Sequence, residues 1–322
     1  MKARPRDPLL RIGLCLVLMP AFLAGCSSSA RQLLDQAESS WRKGRYEEAI
    51  QDNEDLYKLE PRGSYAARAL LNKGNIYYLN LRNLKEAIEA YDKLVQEFPD
   101  SIESRQARRQ MAAIYANEVV DLDQAIAQYN RLLEAKDLAD RSEILFQRAD
   151  AFFKKGDYDR ALRELSNLEE SGISDHLAAQ VSLKIGNIYQ VKRTFDKAIE
   201  PLSKALAARC ADCGESRRRA ILSLAETYEA LFDFDQAVNT IRKLDKTPEN
   251  EQFISSEVER LTKKRKDVDK NIGLNWDQPR ASQGATKTPT AAKKRRPQTS
   301  DLSLRGLLLV CAARLPQEKS DV

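Results

Sequence analysis

Two cysteines three residues apart, Cys210-Ala-Asp-Cys213, are the pair whose type and spacing could do chemistry. A Cys-x-x-Cys loop can close as a local disulfide, exchange thiols or hold a soft metal ion. A thioredoxin-like redox role needs a βαβ setting, which the surrounding pattern lacks. A c-type haem needs His directly after the second Cys, and Gly214 stands there. Structural zinc needs two further ligands. The single histidine, His176, reads as a linker residue between repeats, and Cys311 is distant, so neither is an evident partner. In an oxidising compartment the expected state is a local Cys210–Cys213 disulfide in a turn. Elsewhere there is no His-x-x-x-His pair, no glycine-rich phosphate loop and no Gly-x-Ser-x-Gly. The acidic residues follow helix-surface spacing. The sequence therefore predicts no catalytic residue, cofactor or metal, and an interaction protein rather than an enzyme.

A third cysteine carries a different chemistry. Lys2, Arg4, Arg6 and Arg11 precede an apolar run from Ile12 to Leu23, too short to span a bilayer but right for the core of an export signal. The run ends in Leu23-Ala24-Gly25-Cys26, followed by three serines. This resembles the lipobox of bacterial lipoproteins. The resemblance implies removal of residues 1–25, diacylglycerol on the Cys26 thiol and an acylated new N-terminus. Two or more acyl chains anchor stably where one does not. Ser27 after the cysteine implies the outer membrane, on its periplasmic face.

The elements that must carry these residues form a repeat. One motif recurs at Tyr46-Glu-Glu-Ala49, Leu84-Lys-Glu-Ala87, Leu122-Asp-Gln-Ala125, Tyr158-Asp-Arg-Ala161, Phe195-Asp-Lys-Ala198 and Phe234-Asp-Gln-Ala237. Twelve or thirteen residues before five of these alanines stands a small residue with an aromatic three further on: Gly74/Tyr77, Ala112/Tyr115, Ala149/Phe152, Gly186/Tyr189 and Ala225/Tyr228. In the degenerate first repeat Ala37 takes the small position and Trp41 lies near the aromatic one. Small residues let two helices cross closely, and the aromatic fills the space one turn along. Gly44 and Gly156 mark turns, while Pro61, Pro99 and Pro248 follow second helices. The Gly74–Ala87 and Ala112–Ala125 spacings are one longer than the rest, and the extra residue is expected in a turn.

These residues resemble tetratricopeptide repeats. The resemblance implies an all-α, right-handed solenoid of about six helix-turn-helix repeats over 31–248, joined to Cys26 by a short linker, 26–30. A capping helix over 249–270 follows, with Phe253, Ile254, Val258 and Leu261 on one face. It also implies an inner groove lined by the first helix of each repeat, where a protein or peptide partner lies. Counted from the small positions, the groove candidates are Arg68, Asn75, Tyr78, Arg109, Glu143, Asp150, Phe153, Asn187, Gln190, Glu226 and Glu229. Asn75 and Asn187 each follow a glycine, where some tetratricopeptide-repeat proteins place an amide that binds a peptide backbone. The lysine of a carboxylate clamp is replaced by Leu71 and Leu183, which argues against that clamp.

Charge divides the chain. Of the overall +5, residues 1–25 carry +3 and Lys263–Arg296 carry +8, the last segment is neutral, and the body, 26–262, is left at −6. The basic stretch lies mostly in a polar tail, 271–322, that reads as disordered. It either stays solvated or contacts anionic envelope surfaces; export and an acidic body exclude nucleic acid. With the lipobox, the plan resembles the outer-membrane lipoprotein class of the β-barrel assembly machinery. The alternative is a lipoprotein that recruits a cell-wall, polysaccharide-export or pilus-assembly complex.

Overall fold

A computed structural model of the chain describes residues 29–271. The leader, the lipobox Leu23–Cys26, Cys311 and the tail from 272 lie outside the described residues. Among those described the structure is helices and turns without strands. Six hairpins, each a helix A and a helix B, stack as a right-handed solenoid. They are α1 (29–42) with α2 (Tyr46–Leu59), α3 (Ala66–Asn75) with α4 (Leu84–Glu97), α5 (Ile102–Ile114) with α6 (Leu122–Leu133), α7 (Arg141–Lys155) with α8 (Tyr158–Glu170), α9 (Asp175–Val191) with α10 (Phe195–Ala207), and α11 (Gly214–Ala230) with α12 (Phe234–Ile241). A long helix, α13 (Pro248–Asn271), closes the stack.

The local chemistry of each A–B turn repeats in register. Asn83, Asp121, Asp157 and Asp233 stand four residues before their helix-B alanines and cap that helix, accepting the backbone N–H three residues on at 3.1–3.3 Å. Such caps satisfy helix-end donors that have no other partner. One residue earlier the chain passes through the left-handed region in every repeat: Gly44 (φ 75°), Arg82 (54°), Val120 (59°), Gly156 (86°), Arg193 (56°) and Phe232 (62°). Two of the six are glycine, so only two were visible as turn signals.

The six helix-B alanines are each 0% exposed. At Gly74 and Gly186 the glycine makes room for the residue four beyond that alanine. A Cβ at Gly74 would meet Cε1 of Tyr91, and one at Gly186 would stand 2.5 Å from Cγ of Leu202. The extra residue of the second and third repeats is not in a turn. It is taken up as a π-helical turn at the end of helix A, Ile76–Asn80 after α3 and Tyr115–Val119 after α5. The Leu81 N–H reaches back five residues to the Ile76 carbonyl at 3.1 Å. An i→i+5 turn absorbs one residue without breaking the helix.

The core runs as clusters between successive repeats. Tyr91 and Leu94 of α4 meet Met111 and Ile114 of α5, and Leu165 of α8 shares a cluster with Val181 and Ile188 of α9. Pro248 opens α13 rather than ending α12, in keeping with the fixed φ that suits a first helical position. Leu261 of α13 is 1% exposed and packs with Ile254 and Val268 against Phe234, Ala237 and Ile241. Phe253, expected on that face, is 39% exposed. Val268 takes a place there, because α13 runs on to Asn271.

Candidate functional site

Helix A of one repeat touches helix A of the next: α3 meets α5, α7 meets α9 and α9 meets α11. This close approach sets the A helices on the inner curve, so their polar side chains line one wall.

Five of the eleven predicted groove residues, Arg68, Arg109, Asp150, Gln190 and Glu229, spend their polar atoms across that wall. The Arg109 guanidinium grips the Asp140 carboxylate with both arms, at 2.7 and 2.9 Å. Asp140 opens α7 but makes no side-chain cap, because Arg109 has claimed it. Arg109 also holds the Asp140 carboxyl below the usual carboxylate range. Asp150 of α7 accepts from Lys184 of α9 at 2.5 Å and pairs with Lys154 at 3.2 Å. Burial alone would raise the Asp150 carboxyl, but the two ammonium groups outweigh it and hold it low. The Lys184 ammonium also lies 5.0 Å from the centre of the half-buried Phe153 ring. Gln190 of α9 donates to the Ser223 carbonyl at 2.7 Å and to Thr227 Oγ1 at 3.0 Å on α11. Glu229 of α11 takes both arms of Arg260 at 2.7 and 2.8 Å and Lys264 at 2.6 Å, all from α13. Hydrogen bonds from Arg260 lead in bringing its carboxyl down to about 2. Two members of the basic stretch, Lys264 and Arg265, thus sit in α13 and pair with Glu229 and Asp235.

The other candidates divide. Asn75 does not face a groove. It is buried, and its Oδ1 accepts the Tyr91 hydroxyl at 2.7 Å. The cause is Gly74, which lets the Tyr91 ring lie over α3 and reach the next residue. Burial pushes the Tyr91 hydroxyl far up, so it stays a donor. Tyr78 is half-buried beside the same cluster. Glu143 is exposed and bonded only within its helix, to Gln147. Glu226 is exposed, and desolvation, then the Glu229 charge, raises its carboxyl. Asn187 is half-buried, and its Oδ1 is enclosed without a donor. Sequence reasoning missed the cross-wall partners Asp140, Lys184 and Arg260. Their signal was present: each lies 31–34 residues from its mate, close to one repeat length.

The wall opens into a cleft of about 360 Å³ between α1 and α3, lined by Glu38, Trp41, Arg42, Arg68 and Asn72. Trp41 is fixed by donating to Asn80 Oδ1 at 2.8 Å. Glu38 holds Arg68 at 3.6 Å and Arg42 at 4.0 Å. Asn72 is 2% exposed, and its Nδ2 is buried without an acceptor. That amide N–H is enclosed by the protein and not open to the cleft. Two guanidinium groups and an indole face suit the carbonyls and side chains of an extended peptide.

Cys210 and Cys213 are joined as a disulfide, with their Cα atoms 5.2 Å apart, in and just before a short 3₁₀ turn (Ala211–Cys213) that leads into α11. His176 is not in a linker. It lies in the first turn of α9, and its ring stands beside this pair, with all three ligand atoms within 4.8 Å of one another.

A stack of paired helices with a polar inner wall defines a helical-repeat scaffold. The tetratricopeptide-repeat profile matches residues 29–102, 112–176 and 146–212, more than half of the chain. The chain belongs to the tetratricopeptide-repeat family, whose domains bind protein or peptide partners. No curated protein sequence matches it significantly. Among solved structures, it resembles a tetratricopeptide repeat protein from Parabacteroides merdae (17% identity, 78% of this chain and 95% of that one, TM-score 0.51). It is also similar to PilW, a type IV pilus biogenesis factor (15%, 67% and 92%, 0.48), and to YrrB, described as having an unusual peptide-binding site (20%, 59% and 89%, 0.46). At these identities the likeness speaks to the fold alone. No described helix is long and apolar enough to cross a membrane.

Proposed function

We propose that the chain is a lipid-anchored interaction scaffold of the bacterial cell envelope. Acylated Cys26 holds it to the periplasmic face of the outer membrane. An extended segment of a partner protein lies on the inner wall and enters the cleft of Trp41, Arg68 and Asn72, and the partner belongs to outer-membrane protein assembly. The observation that carries the binding site is the open cleft at the amino-terminal end of the stack, where the Trp41 indole lies beside the Arg42 and Arg68 guanidinium groups. The lipobox supports the anchor. Helix α1 begins at residue 29, so two residues separate it from Cys26, and the three steps of chain reach roughly 10 Å when extended. A partner held in the first cleft would therefore sit at the bilayer surface. The basic stretch beyond α13 adds a second contact, with anionic headgroups or cell-wall polymers.

The test combines fractionation with cross-linking in membranes. Cys26→Ala should move the protein from the membrane to the soluble fraction, and unchanged membrane association defeats the anchor. Cross-linking of the parent should recover a barrel-assembly protein, and Trp41→Ala with Arg68→Ala should lose it. Recovery of only a cell-wall synthase, polysaccharide exporter or pilus protein would reject the assembly role.

A further inference from the structure

Every cysteine among the described residues, and the single histidine of the chain, converge on one place. Two separate elements bring them there. His176 comes from the first turn of α9, and Cys210 and Cys213 come from the connection between α10 and α11. That connection lies in the longest of the six repeats, where 39 residues separate Ala198 from Ala237. The 3₁₀ turn folds the added residues back against α9, so that Cys213 Sγ lies 3.9 Å from the Asp175 carbonyl oxygen. Cys213 is buried, Cys210 is half-buried and His176 is exposed.

We propose that Cys210, Cys213 and His176 form a redox-gated site for a thiophilic d¹⁰ cation, Zn²⁺ or Cu⁺, open only when the Cys210–Cys213 disulfide is reduced. The ligand set is two sulfurs and one imidazole, the donors such ions prefer over oxygen. Ligand atoms around tetrahedral zinc stand about 3.8 Å apart, given bonds of about 2.0–2.3 Å. His176 stands within 4.8 Å of both sulfurs, a shift of roughly 1 Å from ligand spacing, while the two sulfurs, bonded to each other here, part to about 3.8 Å once the disulfide is reduced. Cys213 immediately precedes α11, whose positive end favours a thiolate there. The Gln180 amide is 2.9 Å from His176 Nε2. With Nδ1 as the ligand and the Gln180 amide turned over, Nε2–H would donate to the Gln180 oxygen, an outer contact of the kind that orients metal-bound imidazoles. Zn²⁺ would complete its shell with water, and Cu⁺ would stop at three ligands.

The chemistry balances in two steps. A dithiol reductant exchanges with the disulfide: its thiolate breaks the S–S bond, its second thiol closes its own disulfide, and two electrons and two protons arrive as two cysteine thiols. Metal binding then forms two metal–sulfur bonds and releases those two protons. The disulfide form of such an exchanger reverses both steps: it takes the two electrons, returns to its dithiol with two protons, and the closed Cys210–Cys213 bond expels the ion. The disulfide is local to one connection, whereas the bound ion would tie α11 to α9, so the site would stiffen the stack between the fifth and sixth repeats.

The test uses the full chain with Cys15, Cys26 and Cys311 replaced by serine. Reduced with a phosphine under anaerobic conditions, it should bind one Co²⁺ with thiolate charge-transfer absorption. Zn²⁺ should displace that ion in competition with a chromophoric chelator, and Cu⁺ is titrated separately to distinguish the two. His176→Ala, an exposed change, should weaken binding at least about 10-fold, and Cys210→Ser and the oxidised chain should abolish the absorption. Circular dichroism checks that each variant is folded. The proposal fails if the reduced chain binds no more tightly than Cys210→Ser, or if His176→Ala leaves affinity and spectrum unchanged.

Discussion

Replacing Gly74 with alanine adds one methyl group to a site that has no space for it. The new Cβ would overlap the Tyr91 ring, whose side chain is 0% exposed and whose hydroxyl is tied to Asn75 at 2.7 Å. In an open helix the same change stabilises by about 1 kcal/mol through backbone propensity. Here overpacking costs about 1–3 kcal/mol. Moving the ring away breaks its hydrogen bond and leaves a buried Asn75 oxygen unpaired, at about 1–3 kcal/mol. The balance is a net destabilisation of roughly 1–5 kcal/mol, a fall in Tm of about 2–4 °C per kcal/mol for a domain of this size. The architecture as such tolerates the pair, since Ala112 faces Tyr129 in the third repeat and both are buried. The obstacle is the pinned position of Tyr91. Adding Tyr91→Leu to Gly74→Ala should therefore recover part of the loss. Gly186→Ala clashes with the aliphatic Leu202, which has no hydrogen bond to lose, and stands at ordinary contact distance from the Ala198 carbonyl, so it should cost less. Thermal and urea melts followed by circular dichroism decide it. A Gly74→Ala chain that melts at or above the parent would refute the reasoning, because propensity would then have outweighed the clash.

The clasp of α13 should be sensitive to acid. Glu229 is held at about 2 in the folded chain against 4.5 when free, so its contribution is complete above pH 4.5 and is lost as pH falls through about 2. Arg260 and Lys264 are half-exposed and screened, so the pairing contributes about 1 kcal/mol. The stability gap between parent and Glu229→Gln should close over that window, and a gap unchanged near pH 2 counts against ion pairing. Val120 is 65% exposed, β-branched and left-handed. Val120→Asn should stabilise by about 0.5–1 kcal/mol, since asparagine tolerates that conformation; a lower Tm would show that Val120 makes contacts worth more than its strain.

The repeat and its register were legible because the alanine of helix B is a steric requirement repeated six times. Asn75 was misread for a physical reason. Its distance from the small position places it on helix A, but only the overhanging Tyr91 ring decides that it is enclosed. The left-handed turns at Arg82, Val120, Arg193 and Phe232 were hidden because the capping side chain that follows most of them, and not glycine, marks the turn. The wall residues were legible as polar positions on helix A, and their partners were not, because pairing runs between repeats while the motif is read within one. His176 joined the cysteines only in three dimensions, across a separation that no local pattern spans.

The two π turns bear on how such a chain can change length. An extra residue near the end of helix A widens one turn and goes no further, since the left-handed residue and the cap that follow keep their distance from the helix-B alanine. Insertion and deletion at that place are thus nearly silent for stacking. They are not silent for the surface, because the widened turn carries one side chain more than the same turn in the other repeats. Drift in repeat length can therefore present new side chains at the A–B edge while the interior stays fixed.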